Sequence, residues 1–208
     1  MQTKLLRYYY NAKQTVYSNG YFFEIYWQEK QNIESINTKN FFTEYSWVVL
    51  SSGMKETVIR KKFKEISLIF NNWVSPKFIV ANQNSIGKKA LKAFNNPLKI
   101  NALFFMAKYL CSGSIKNEIK CIHAEGVKYL EKFPYLGPAT SLHFAKNLGF
   151  NVSKPDRHLI RISEKFGFDC PTSFCKKISK YTGEKESVVD IVLWRYATLD
   201  KNYLSNIN

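Results

Sequence analysis

An all-α fold is predicted by three features of this 208-residue sequence. Apolar residues recur every three or four positions, as in Val58, Ile59, Phe63, Ile66 and Ile69 or in Ala139, Leu142, Ala145 and Leu148, the period of a helix with one buried face. Proline and glycine punctuate these runs at their edges: Pro134 stops one, Pro138 suits the first turn of the next, and Gly149 and Gly167 lie where C-terminal caps belong. No apolar run reaches the ~18 residues that span a bilayer, so the helices are expected to bury their faces against one another.

The first thirty residues are crowded with aromatics: Tyr8, Tyr9, Tyr10, Tyr17, Tyr21, Phe22, Phe23, Tyr26 and Trp27. Leu5, Leu6 and Tyr9 fit a helix, whereas Asn19-Gly20 suits either a hairpin turn between strands or a break between helices. Helices are favoured here, with the hairpin left open. Residues 31–40 are polar and read as a loop. Phe41 to Leu50 forms a buried helix, Ser51 to Lys55 interrupts it, and Glu56 opens a helix with Lys55, Arg60, Lys61, Lys62 and Lys64 crowded beside its apolar stripe. A break from Asn71 to Pro76 precedes two short helical pieces over 77–98, divided near Gly87, and a helix from Leu98 to Leu110. Residues 115–132 make the first arm of a helical hairpin, weakened at Gly126, and the second arm ends near Gly149. Asp156 opens a helix that reaches Phe166. From Pro171 the chain runs to an apolar helix over 188–196 that carries one acid, Asp190, and one base, Arg195.

Composition narrows the partners. Lys and Arg total 31 against 16 Asp and Glu, a net charge of +15, which points to a polyanion more than to a membrane surface. With 45% hydrophobic residues the chain has the means to build a core, so disorder is excluded. Met1-Gln2-Thr3-Lys4 does not open a signal peptide, and an intracellular, nucleoid-associated monomer is expected. Cys111, Cys121, Cys170 and Cys175 form no disulfide framework, and the last two lack the further ligands a zinc site needs. His123 and His143 stand alone and read as packing or surface residues.

The stretch 133–161, FPYLGPATSLHFAKNLGFNVSKPDRHLIR, is a tight turn, a helix, a loop and then a lone acid. Pro134, Leu136, Gly137, Thr140 and Asp156, with His158 and Arg161 behind, resemble the signature of the helix-hairpin-helix DNA glycosylase superfamily, in particular its endonuclease III-like and 3-methyladenine glycosylase-like branches. The resemblance covers about residues 41–167. It implies two helical lobes, one over about 41–120 with a wedge loop, the other over 1–40 plus 121–208 with the hairpin and the acid, and a cleft between them for DNA and a flipped base.

What the resemblance implies residue by residue is specific. Asp156 is the catalytic carboxylate, although Ser153-Lys154-Pro155-Asp156 also reads as a capping box with Ser153 as its cap. The main chain from Leu136 through Gly137, Pro138 and Ala139 to Thr140 is expected to grip the DNA backbone with the N–H groups it carries, with further contacts from His158, Lys55 and Lys62. Ser52, Gly53 and Met54 form the wedge, and Tyr21, Glu24, Trp27, Glu44, Trp47 and Trp194 line the base pocket. Strand-nicking members carry a lysine where this chain has Ala139, so a monofunctional enzyme that leaves an abasic site is expected, with a bifunctional glycosylase/lyase and a non-catalytic DNA-binding module as alternatives. The late cysteines are too few for the iron–sulfur cluster of some members. No cofactor or catalytic metal is called for, and a structural monovalent cation on carbonyls of the hairpin turn is compatible with the family. The partner would be duplex DNA holding a damaged or modified base, met in repair or in attack on modified phage DNA.

Overall fold

The computed structural model describes residues 2–207 and is all-α, with no strand among them. Twelve α-helices follow in chain order: α1 (Gln2–Ser18), α2 (Phe22–Lys30), α3 (Thr38–Ser51), α4 (Glu56–Ile69), α5 (Pro76–Ala81), α6 (Gln83–Ala93), α7 (Pro97–Ser112), α8 (Ile115–Glu125), α9 (Pro138–Asn147), α10 (Arg157–Lys165), α11 (Pro171–Thr182) and α12 (Glu186–Leu199). Four short 3-10 turns punctuate them. The aromatic N-terminus is therefore helical, broken at Gly20 with φ +81°.

Three boundaries differ from the sequence expectation, each for a local reason. The polar stretch 31–40 is not all loop, because Asn37 accepts from the Asn40 N–H and starts α3 at Thr38. The 77–98 region divides at Asn82, where one short helix ends and the next begins, and Gly87 lies inside α6 beside the Phe104 ring. The hairpin's first arm is α8 followed by a 3-10 turn over Val127–Lys132, separated by Gly126 at φ +78°. Glycine ends the helix there instead of merely weakening it.

The chain divides into two compact units, residues 33–144 and residues 1–32 with 145–208. The expected lobe boundary near 120 moves to 144 because the end of the first hairpin arm is bound to the central segment. Phe133 packs edge-on against Phe41, Tyr45 and Tyr109, and the Tyr45 hydroxyl donates to the Pro134 carbonyl at 3.0 Å. Around these rings the central unit builds an aromatic core in which Trp73 stacks on Phe63 and Phe70, and Phe42 tilts against Trp73. The core of the other unit is formed by α1, α10, α11 and α12, with Tyr8, Tyr9, Leu159, Phe166, Phe174, Val189 and Leu193 all buried. α9 starts in one unit and ends in the other.

Candidate functional site

Asp156 has extended backbone (φ −88°, ψ 169°) and is itself the N-cap of α10, its carboxylate accepting from the His158 N–H at 2.8 Å and the Leu159 N–H at 3.0 Å. The anticipated capping box is therefore replaced by a simpler arrangement. Ser153 is 1% exposed and takes no part in the cap. Pro155 favours extended backbone at Lys154 and so delays the helix until after Asp156. A carboxylate at a helix N-terminus is held by main-chain donors and by the helix dipole, which fixes its direction without a second side chain.

His158 follows on the first turn of α10, its Nδ1 3.3 Å from the Tyr203 hydroxyl and its ring edge-on to that tyrosine. Burial, with help from Arg157 and Arg161, lowers its pKa below the usual value, so the imidazole is neutral at pH 7.

Most of the expected pocket residues of this unit are already engaged. Arg195, buried in α12, donates from Nε and Nη2 to both oxygens of Glu24 at 2.8 and 2.6 Å. The Tyr21 and Trp194 rings lie 4.3 and 4.6 Å from its guanidinium carbon. Three of the six expected pocket residues thus surround an arginine that joins α2 to α12. Trp27 differs: it is exposed on α2 together with Phe22, Phe23 and Tyr26.

Behind Asp156 lies a second buried ion pair that sequence inspection passed over. Asp190 and Lys146, 2% and 5% exposed, meet side chain to side chain, and the other Asp190 oxygen accepts the Lys154 N–H. Burial raises the Asp190 pKa against the pull of Lys146, and burial together with Lys146 lowers that of Lys154. The Cys175 thiol beneath them is pushed well up by burial, so it is an inert core group.

In the central unit the hairpin turn is locally closed. The Leu136 N–H donates to the Phe133 carbonyl at 3.1 Å, the Gly137 N–H to the Thr140 hydroxyl at 2.8 Å, and that hydroxyl to the Tyr135 carbonyl at 2.8 Å. Pro138 has no N–H. Of the four N–H groups expected to face phosphate, those of Ala139 and Thr140 remain, in the first turn of α9 where no i−4 carbonyl is available. Tyr135 adopts φ +66°, a left-handed conformation costly for any residue with a Cβ. The expected pattern left that position open, so nothing in the sequence marked it.

The wedge triplet forms a tight turn after α3, with the Met54 N–H donating to the Ser51 carbonyl at 3.0 Å, Gly53 at φ +68° and Met54 exposed. Lys99, buried in α7, supports this turn from beneath, its Nζ donating to the carbonyls of Leu50 and Ser52 at 2.8 and 2.6 Å and lying 5.9 Å from the Tyr135 ring centre. Its pKa is lowered by burial. Of the two lysines assigned to phosphate, Lys55 is exposed at the start of α4, whereas the Lys62 ammonium donates to the Ala93 carbonyl at 2.7 Å and caps α6. Trp47 packs edge-on against Phe63 with Arg60 above it, and Glu44 is half-buried on the same helix. Among the described residues no group of three or more His, Cys, Asp or Glu could hold a metal ion, and no helix is long and apolar enough to cross a membrane.

No protein-family model and no curated protein sequence matches the chain. Among solved structures, the 8-oxoguanine glycosylase/lyase of Methanocaldococcus jannaschii, in complex with a 15mer DNA containing 8-oxoguanine, is similar at a TM-score of 0.58 and 15% identity, over 91% of this chain and 97% of that one. The two proteins share a fold, and the all-α architecture of this chain is that of a protein solved on damaged DNA.

Proposed function

We propose that the chain is a monofunctional DNA glycosylase of the helix-hairpin-helix superfamily, acting on duplex DNA that contains a damaged or modified base. The observation that carries this reading is Asp156: a carboxylate aimed by two main-chain donors at the start of α10, one helix and one short loop after a proline- and glycine-bounded turn. The fold shared with a glycosylase solved on DNA supports it, as does the net charge of +15. As the bond from C1′ to the base nitrogen lengthens, positive charge grows on the sugar. The Asp156 carboxylate opposes that charge and takes a proton from the water whose oxygen bonds to C1′, and the base, leaving with the electrons of the C1′–N bond, takes a proton from solvent. The Ala139 and Thr140 amides would hold a backbone phosphate in register, Met54 would fill the space left by the extruded base, and Trp27 is the exposed aromatic best suited to stack on it.

Asp156→Asn tests this cleanly, because asparagine caps a helix as well as aspartate does and the fold should persist. Base release from DNAs containing 8-oxoguanine, alkylated purines or glycosylated hydroxymethylpyrimidines, read by mass spectrometry, should fall about 10²–10⁴-fold in the variant. Undiminished release would refute the assignment. A bifunctional reading has one observation in its favour: the Lys154 amine, its pKa lowered by burial, stands two residues before Asp156. Borohydride trapping of a wild-type adduct that Lys154→Met abolishes would establish it. No adduct is expected, since Ala139 replaces the amine of the strand-nicking members.

A further inference from the structure

Asp190 is a carboxylate on a helix otherwise suited to the core, flanked by the buried Val188, Val189, Val192 and Leu193. Apolar packing would serve such a place at least as well as a charge, so the buried carboxylate calls for a role besides core stability. Its two oxygens face different partners. One accepts from the Lys146 ammonium in the last turn of α9, and the other accepts from the main-chain N–H of Lys154. Lys146 is anchored in turn, its carbonyl accepting from Gln28 Nε2 at 3.0 Å. From Lys154 to the acid the chain has little freedom: Pro155 locks one φ angle, and the Asp156 N–H donates back to the Lys154 carbonyl at 2.8 Å.

We infer that Asp190 is a positioning residue that sets the Asp156 carboxylate through the Lys154 main chain, with Lys146 as its counter-charge. This inference rests on the proposed excision chemistry for its consequence, but the hold on the loop is independent of any substrate. The ammonium lets Asp190 keep its charge inside the core, and the charged oxygen makes a stronger acceptor for the Lys154 N–H than a neutral one.

Two double variants separate positioning from packing. Lys146→Met/Asp190→Asn and Lys146→Met/Asp190→Leu both remove the ion pair without leaving an unpaired charge, but only the first keeps an acceptor for the Lys154 N–H. The asparagine variant should excise base at a rate within about fivefold of wild type, whereas the leucine variant should lose about a hundredfold in single-turnover rate with DNA affinity unchanged, the scale of a misplaced catalytic group. Amide hydrogen exchange of residues 152–158 should quicken only in the leucine variant. If leucine does not fold, Lys146→Met/Asp190→Ala makes the same comparison. Equal exchange over 152–158 in the two double variants would overturn the role of Asp190, whatever the wild type excises. A wild type that releases no base from any substrate would instead overturn the proposed activity.

Discussion

Two buried lysines, one in each unit, solve the same problem in different ways. Lys146 is closed by a carboxylate, Asp190, so that a pair of opposite charges enters the core together. Lys99 has main-chain carbonyls as its acceptors, Leu50 and Ser52 at the end of α3, with the Phe94 and Tyr135 rings about its ammonium. The carbonyls at a helix C-terminus carry partial negative charge, which suits a cation but does not neutralise it. Burial accordingly lowers the Lys99 pKa. The lesson concerns charge balance: each turn is tied through its main chain to one buried charge, but only the charge behind the acid-bearing loop has a counter-ion beside it.

The largest expected effect is at the ion pair. Lys146→Met leaves Asp190 charged and unpaired in the core and should cost about 3–5 kcal/mol, while Lys146→Met/Asp190→Leu should recover most of that loss. Urea unfolding of the single and double variants measures the difference, and a single variant as stable as wild type would erase the contrast between the units. Lys99→Met should cost less, about 1–3 kcal/mol, because it strands two carbonyls and no charge.

The pH dependence of Lys99 sharpens the same contrast. A lysine whose folded-state pKa lies below the unfolded value of 10.5 binds fewer protons when folded. Its contribution to stability is therefore present above 10.5 and is lost as pH falls through the folded pKa. The stability of wild type relative to Lys99→Met should grow as pH rises toward 10.5. Parallel melts from pH 7 to 10 check this, and a gap that narrows would mean that the Lys99 ammonium is not desolvated.

How far the sequence foretold these features depends on how local each one is. The hairpin, α10 and Asp156 are marked by prolines, glycines and a cap within a few residues of one another, and they were legible for that reason. Asp190 and Arg195 were visible only as an acid and a base in an apolar helix. Their partners, Lys146 and Glu24, come from distant segments, and no periodicity announces such a pairing. The pocket expectation meets the same difficulty. Tyr21, Glu24 and Trp194 have the composition of a base-stacking site and also that of an arginine sandwich, and only the path of α12 beside α2 decides between them. Spacing reads Ser153 as the cap of α10 with Asp156 at its third position, whereas Asp156 itself is the cap, because Pro155 keeps Lys154 extended.

The smallest expected effect separates two lysines on one helix, where charge counting treats them alike. Lys55 is exposed and aimed at solvent beside the wedge turn, whereas Lys62 already donates to the Ala93 carbonyl at the end of α6. Each phosphate contact contributes about 0.9 to the slope of log affinity against log salt for duplex DNA. Lys55→Ala should lower that slope by about 0.9 and weaken binding to all sequences alike. Lys62→Ala should leave the slope unchanged and lower stability instead, by about 0.5–1.5 kcal/mol for the lost hydrogen bond at the helix end. The two titrations, run on one DNA across a salt series, decide whether a basic face binds phosphate as a whole or only through those side chains that the fold has not already engaged. An equal reduction of the slope in both variants would mean that Lys62 leaves Ala93 when DNA arrives, and an unchanged slope in both would return Lys55 to a solvated face.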